Sequence, residues 1–235
     1  MEEKRTILVI GGRSGIGKAL VEKLLAEGHE VIAASRNIEQ ADLPSGVKKM
    51  TYDAVNDEKL PEVPEKLDGL AYCPGSINLQ PFKRFSLDTL RAEMELNYLG
   101  AVKVLHQVIG KLKASKRGSA VFFSTVAVQT GLPFHSSVSA GKGAVEGLVR
   151  SLAAEYAPSV RFNAVAPALV DTPMAEGMLN NDKKRESNAQ RNPLKKIGTP
   201  EDIASMAAFL LSDKGNWMTG QVVGVDGGMG SIRPL

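Results

Sequence analysis

The sequence predicts an α/β protein, a single doubly wound domain on a seven-stranded parallel sheet with helices on both faces. Three observations carry this. Apolar runs of strand length alternate with helical patterns along the whole chain, and such alternation covers a parallel sheet on both sides. The first apolar run breaks into glycines and opens directly into a helix, a join that doubly wound sheets place at their crevice. The 235 residues show no linker, repeat or low-complexity tract that would divide them. A chain of that length closes one core that buries roughly 70–75% of its unfolded surface.

Each element has its own signal. The first strand is expected near 6–10 and the first helix over 15–27, where Ile16, Leu20 and Leu24 recur at spacing four and Gly28 supplies the stop. Further strands are expected near 31–34, 48–52, 69–73, 119–124, 160–166 and 222–225. Helical patterns lie over 88–113, 139–156 and 200–212. The stretch 172–198, rich in Asn, Lys and Arg, is the least patterned. It reads as a substrate-side flap within the one domain, or as a floppy surface connection.

Composition excludes several classes. The net charge of +3 is too small and dispersed for nucleic acid, and Lys183-Lys184-Arg185 reads as a solvated face. Cys73, the sole cysteine, allows no internal disulfide and no metal cluster. The opening Met1-Glu2-Glu3-Lys4-Arg5 has no apolar signal core, and no apolar stretch is long enough for a membrane span. A cytoplasmic protein is expected.

The glycine-rich segment Gly11-Gly12-Arg13-Ser14-Gly15-Ile16-Gly17 permits a tight turn and close backbone approach, and the N–H groups opening the helix attract a pyrophosphate. About 20 residues past such a loop, an acidic side chain selects NAD, whereas an arginine accommodates the 2′-phosphate of NADP. No Asp or Glu lies between Val31 and Asn37; the positions hold Ser35 and Arg36 instead, with Arg13 adding charge from the loop. NADP(H) is therefore the expected cofactor.

Taken together these segments resemble the short-chain dehydrogenase/reductase family, in its 3-oxoacyl-carrier-protein reductase branch, over almost the whole chain. The run Ile10 to Gly17 resembles the family's glycine motif, with Ile10 replacing the usual Thr. Tyr72-Cys73-Pro74-Gly75 stands where the family has Asn-Asn-Ala-Gly, so only the glycine survives. The resemblance implies a Rossmann domain in which Asp53 and Ala54 contact the adenine. It likewise implies that Asn97 holds a water, and that Pro167 and Thr172, with Asn163-Ala164-Val165-Ala166-Pro167 and Asp171-Thr172-Pro173, wrap the nicotinamide. It implies Lys142 as the ribose anchor, Thr125 in the place of the catalytic Ser, a small carbonyl or hydroxyl substrate, and a homodimer or homotetramer through the helices 88–113 and 139–156.

One departure matters more than the matches. In the family, a Tyr stands four residues before the Lys and supplies the proton; here that position is Val138. Valine has no proton, and a missing general acid costs roughly 10² to 10⁴ in rate. Tyr72 and Tyr98 adjoin motif positions but lie one residue off, so their side chains are expected to point elsewhere. Tyr52 and Tyr156 complete the tyrosines. His135, preceding Ser136 and Ser137, is either a solvent-facing loop residue or a substitute acid, and Lys142 acting directly is a further option. His29 and His106 read as structural, Cys73 as packing near the cofactor rather than as a nucleophile, and Trp217 as packed at the sheet end or a subunit contact. Two functions stay open: an NADP(H)-dependent oxidoreductase with an atypical proton donor, or a catalytically silent NADP(H)-binding sensor or partner subunit. Elimination or isomerisation using Lys142 and Thr125 is a third possibility.

Overall fold

A computed structural model describes residues 3–232, so Met1 and Glu2 of the charged opening segment lie outside the described residues. Seven strands form one parallel sheet in the order β3-β2-β1-β4-β5-β6-β7. They are β1 (Thr6–Ile10), β2 (Glu30–Ser35), β3 (Lys48–Thr51), β4 (Gly69–Tyr72), β5 (Gly118–Phe123), β6 (Val160–Pro167) and β7 (Val222–Val225). Eight helices accompany them: α1 (Gly15–Ala26), α2 (Leu87–Met94), α3 (Gly100–Ser115), α4 (Ala127–Thr130), α5 (Ser136–Tyr156), α6 (Glu176–Leu179), α7 (Asp182–Arg191) and α8 (Pro200–Leu211).

Strand alternation divides the core into two layers. In β1, Leu8 and Ile10 face one side while Ile7 and Val9 face the other; Leu70 and Tyr72 of β4 oppose Ala71 in the same way. The first layer packs under α3 and α5, the second under α1 and α8. Because both faces are covered, the strands read as continuous apolar runs rather than alternating ones. Strand order reverses between β1 and β4, and a crevice opens at such a switch point, beyond the carboxyl ends of the strands.

The expectations for two helices and for Trp217 need correction. The helix foreseen over 88–113 is not continuous: a π-helical turn, Glu95–Leu99, separates α2 from α3. Widened turns of this kind cluster at functional sites. Tyr72 donates from its hydroxyl to the Leu96 carbonyl at 2.8 Å, and a Cβ on Gly100 would sit 2.4 Å from that hydroxyl oxygen. Glycine there lets β4 and the widened turn approach. The little-patterned segment 172–198 carries α6 and α7, and α5 begins at Ser136, three residues earlier than expected. Trp217 does not pack at the end of the sheet; it is 97% exposed. Among the described residues no helix is long and apolar enough to cross a membrane.

Candidate active site

Two adjoining clefts open over the carboxyl ends of the strands. The first, of about 490 Å³, runs along the β1–α1 turn to the end of β2. The second, of about 300 Å³, lies between the end of β5, the start of α5 and the segment carrying α6 and α7. They share Ile16, Cys73, Gly75, Thr172 and Met174, so one ligand can extend from one into the other.

The glycine turn makes the first cleft possible. A Cβ on Gly17 would fall 2.2 Å from the Gly11 carbonyl oxygen, so the helix starts this close to the strand only with glycine at that position. The Ser14 side chain makes no capping hydrogen bond and the first turn of α1 carries no acidic residue, leaving its N–H groups open to a phosphate. Every expected cofactor residue lines this cleft except Pro167 and Lys142, which line the second.

Electrostatics at the β2 end agree with that layout. Neither Arg36 nor Arg13 forms an ion pair among the described residues, and both line the cleft. Burial pushes the Asp53 carboxyl up, but hydrogen bonds from Val55 and Asn56 and the Arg36 charge hold it below its ordinary value. Those bonds, at 2.9 and 3.2 Å to Oδ1 and 2.9 Å to Oδ2, commit both oxygens to the local turn. Ser35 Oγ and Tyr52 Oη are buried along the same wall without a hydrogen-bond partner in the protein. Unsatisfied buried hydroxyls cost free energy, and a polar ligand removes that cost; the residues fit a dinucleotide.

At the junction of the clefts, Asn97 and Lys142 converge over Gly75. A Cβ there would lie 3.1 Å from Lys142 Nζ and 3.2 Å from Asn97 Oδ1. Asn97 donates through Nδ2 to the Glu93 carbonyl at 2.9 Å and to Ser76 Oγ at 3.1 Å, while its buried Oδ1 has no partner. The widened turn aims this side chain. Lys142, 8% exposed, faces Cys73 and Glu93. Burial drives its ammonium down to about 8, and those two neighbours pull it back only in part. The Cys73 thiol is pushed by burial up to about 12, which keeps it protonated and removes it as a nucleophile.

The second cleft is lined by Thr125, Val138, His135 and Lys142, and among the described residues no tyrosine lines it. Thr125 Oγ1 accepts from the Ala127 N–H at 3.3 Å, and the neighbouring Ser124 donates to buried Glu146 at 2.7 Å, tying the end of β5 to α5. Val138, 5% exposed, lies one turn before Lys142 on α5. His135 is half-buried, and its Nδ1 lies 2.8 Å from the Pro133 carbonyl; a carbonyl only accepts, so Nδ1 carries a proton. The other tyrosines are turned away: Tyr72 is engaged by Leu96, Tyr98 packs against the first core layer, and Tyr156 packs on Phe162 at 5.9 Å. His29 is buried and accepts from the Arg5 N–H, while His106 is exposed on α3. Lys183, Lys184 and Arg185 are exposed along α7.

Several wall residues had no signal in the sequence. Met174, Met178, Arg191, Lys196 and Met229 reach the second cleft from segments with no motif. Glu93 shows only a helical i,i+4 relation to Asn97, which sequence reading did not weigh.

Comparison with known proteins agrees with this architecture. A family model described as enoyl-(acyl carrier protein) reductase matches residues 10–230. The chain is 32% identical to the 3-oxoacyl-(acyl-carrier-protein) reductase of Thermotoga maritima, over 97% of this chain and 98% of that one. It is 34% identical to a tropinone reductase homolog of Arabidopsis thaliana, covering 95% and 91% of the two. Among solved structures, the aldohexose dehydrogenase of Thermoplasma acidophilum superposes with a TM-score of 0.88 at 26% identity, covering 99% of this chain and 96% of that one. A seven-stranded doubly wound sheet, a glycine turn over an uncapped helix and relatives that are reductases and dehydrogenases lead to one conclusion: the chain belongs to the short-chain dehydrogenase/reductase family of oxidoreductases.

Proposed function

We propose that this member of a nicotinamide-dependent family is an NADP(H)-dependent carbonyl reductase or alcohol dehydrogenase whose proton donor is not a tyrosine. One observation carries the cofactor choice: Arg36 and Arg13, neither in an ion pair among the described residues, line the first cleft together with the orphaned Ser35 hydroxyl at the end of β2. A guanidinium there binds a 2′-phosphate in two parallel hydrogen bonds. When bound, the dinucleotide supplies or accepts a hydride.

The chain's own residues do the rest. Thr125 Oγ1 donates to the substrate oxygen and meets the charge that develops on it. Lys142 Nζ holds the proton: with its ammonium titrating near 8, it is charged at neutral pH and close enough to it to act as an acid. Asn97 Oδ1 and Ser76 keep a polar path beside it. Val138 and the apolar wall exclude water from the reacting oxygen. The faces of α3 and α5, with Leu99 exposed beside them, support assembly as a homodimer or homotetramer.

The second reading, a silent NADP(H)-binding sensor or partner subunit, is favoured by Val138 together with Cys73, two positions without the family's polar groups. Calorimetric titration with NADPH and NADH, followed by oxidation assays on a panel of ketones and aldehydes, separates the two. Preference for NADPH with turnover supports the enzyme. Tight NADPH binding with no turnover supports the silent protein, and absence of binding overturns both.

A further inference from the structure

We infer that the substrate is an anionic amphipathic carbonyl compound, an oxo-acid with an apolar body whose carboxylate is taken by Arg191. The inference deepens the reductase reading and rests on it for the position of the reacting carbonyl at Thr125.

Charge in the second cleft is one-sided. Lys142, Arg191 and Lys196 line it, and among the described residues no Asp or Glu does. Lys142 is buried on α5, whereas Arg191 and Lys196 are exposed, on α7 and just beyond it. Much of the remaining lining is apolar, with Ile77, Leu79, Met174 and Met178 prominent. A cleft of this kind suits an apolar chain that carries an anionic group.

Arg191 is the cation available to that anionic group. Lys196 lies 3.7 Å from Asp202, whose carboxylate also accepts the Thr199 N–H at 2.9 Å in capping α8. Arg191 makes no ion pair and no side-chain hydrogen bond among the described residues. One free guanidinium matches one carboxylate, in a forked geometry that a lysine does not reproduce.

The backbone that carries Arg191 is anchored. Its neighbour Asn192 is buried, donating through Nδ2 to the Asp226 carbonyl at 2.7 Å and accepting the Leu194 N–H at 2.9 Å. Within α7, Arg185 holds Asp171 through two bonds of 2.7 and 3.0 Å. The exposed Arg191 side chain extends from that anchored helix end along the cleft lining.

The test is calorimetric titration of the full chain with heptanoate and with 1-heptanol, in wild type, Arg191→Gln and Arg191→Lys. Wild type should bind heptanoate at least about tenfold more tightly than the alcohol. That preference should vanish in Arg191→Gln, survive in part in Arg191→Lys and shrink at high salt, with alcohol binding unchanged. Equal affinity for both probes in wild type, an undiminished preference in Arg191→Gln, or uptake of neither probe overturns the inference. NADPH titration of the same samples keeps the cofactor reading separate: heptanoate preference without NADPH binding breaks that reading alone, and NADPH binding without heptanoate preference breaks only this one.

Discussion

At its β1–α1 turn the first cleft presents Gly11, Gly15 and Gly17 over the end of β1, whereas the second is walled by side chains from β5, α5, α6 and α7. The difference lies in what each surface must recognise. A pyrophosphate is met by peptide N–H groups, so its site needs an absence of side chains at a few positions close together in sequence. A substrate is met by side-chain shape and charge, and residues separated by about half the chain must come together. The first kind of site breaks sharply when a single atom is added; the second can be re-equipped one side chain at a time.

The largest expected effect is on the second cleft. Val138→Tyr should raise reductive kcat by about 10² to 10⁴ if the absent phenol is its main deficit, measured as NADPH oxidation with the best ketone of the panel. An unchanged rate would show that its geometry, as well as its acid, has diverged. Next is Gly17→Ala, whose new Cβ meets the Gly11 carbonyl at 2.2 Å. It should lower stability by about 1–3 kcal/mol in urea unfolding and remove NADPH binding. Full affinity in this variant would contradict a backbone-built site.

Arg36→Ala should weaken NADPH about 10- to 100-fold while leaving NADH nearly unaffected, read by calorimetry; an equal loss for both would move the phosphate grip elsewhere. The smallest effect is pH-dependent and concerns Lys142, at the junction. Its ammonium titrates near 8, so the reduction rate should hold below that pH and fall as pH rises through it, to roughly half at the midpoint. The folded-state value lies below the ordinary 10.5, so between the two the unfolded chain binds more protons and stability should rise with pH. Lys142→Met should flatten that rise in thermal unfolding across the same range.

Legibility followed the same division. The strands appear within a residue or two of the expected positions, because both faces of a parallel sheet are buried and the apolar runs are unbroken. The glycine turn and the Ser35–Arg36 pair were readable because their chemistry lies within one β-α-β stretch. The interruption at Glu95–Leu99 was not readable, since no proline marks it. Within that turn the Leu96 carbonyl accepts from the Tyr72 hydroxyl, a contact that only the packing of β4 beside it brings about. Segment 172–198 looked patternless because α7 is exposed along its length: a helix with no buried stripe leaves no apolar period to read.

The sequence by itself determined the sheet, the two core layers, the open helix start and the valine where the family carries a phenol, for each is written in neighbouring residues or in a short period. Only the tertiary structure decided that Asn97 and Lys142 meet over Gly75, that burial pushes the Cys73 thiol up, and that Arg191 lines the cleft with no ion pair among the described residues. Those facts depend on which distant groups surround a residue, and desolvation and pairing are properties of surroundings rather than of order along the chain.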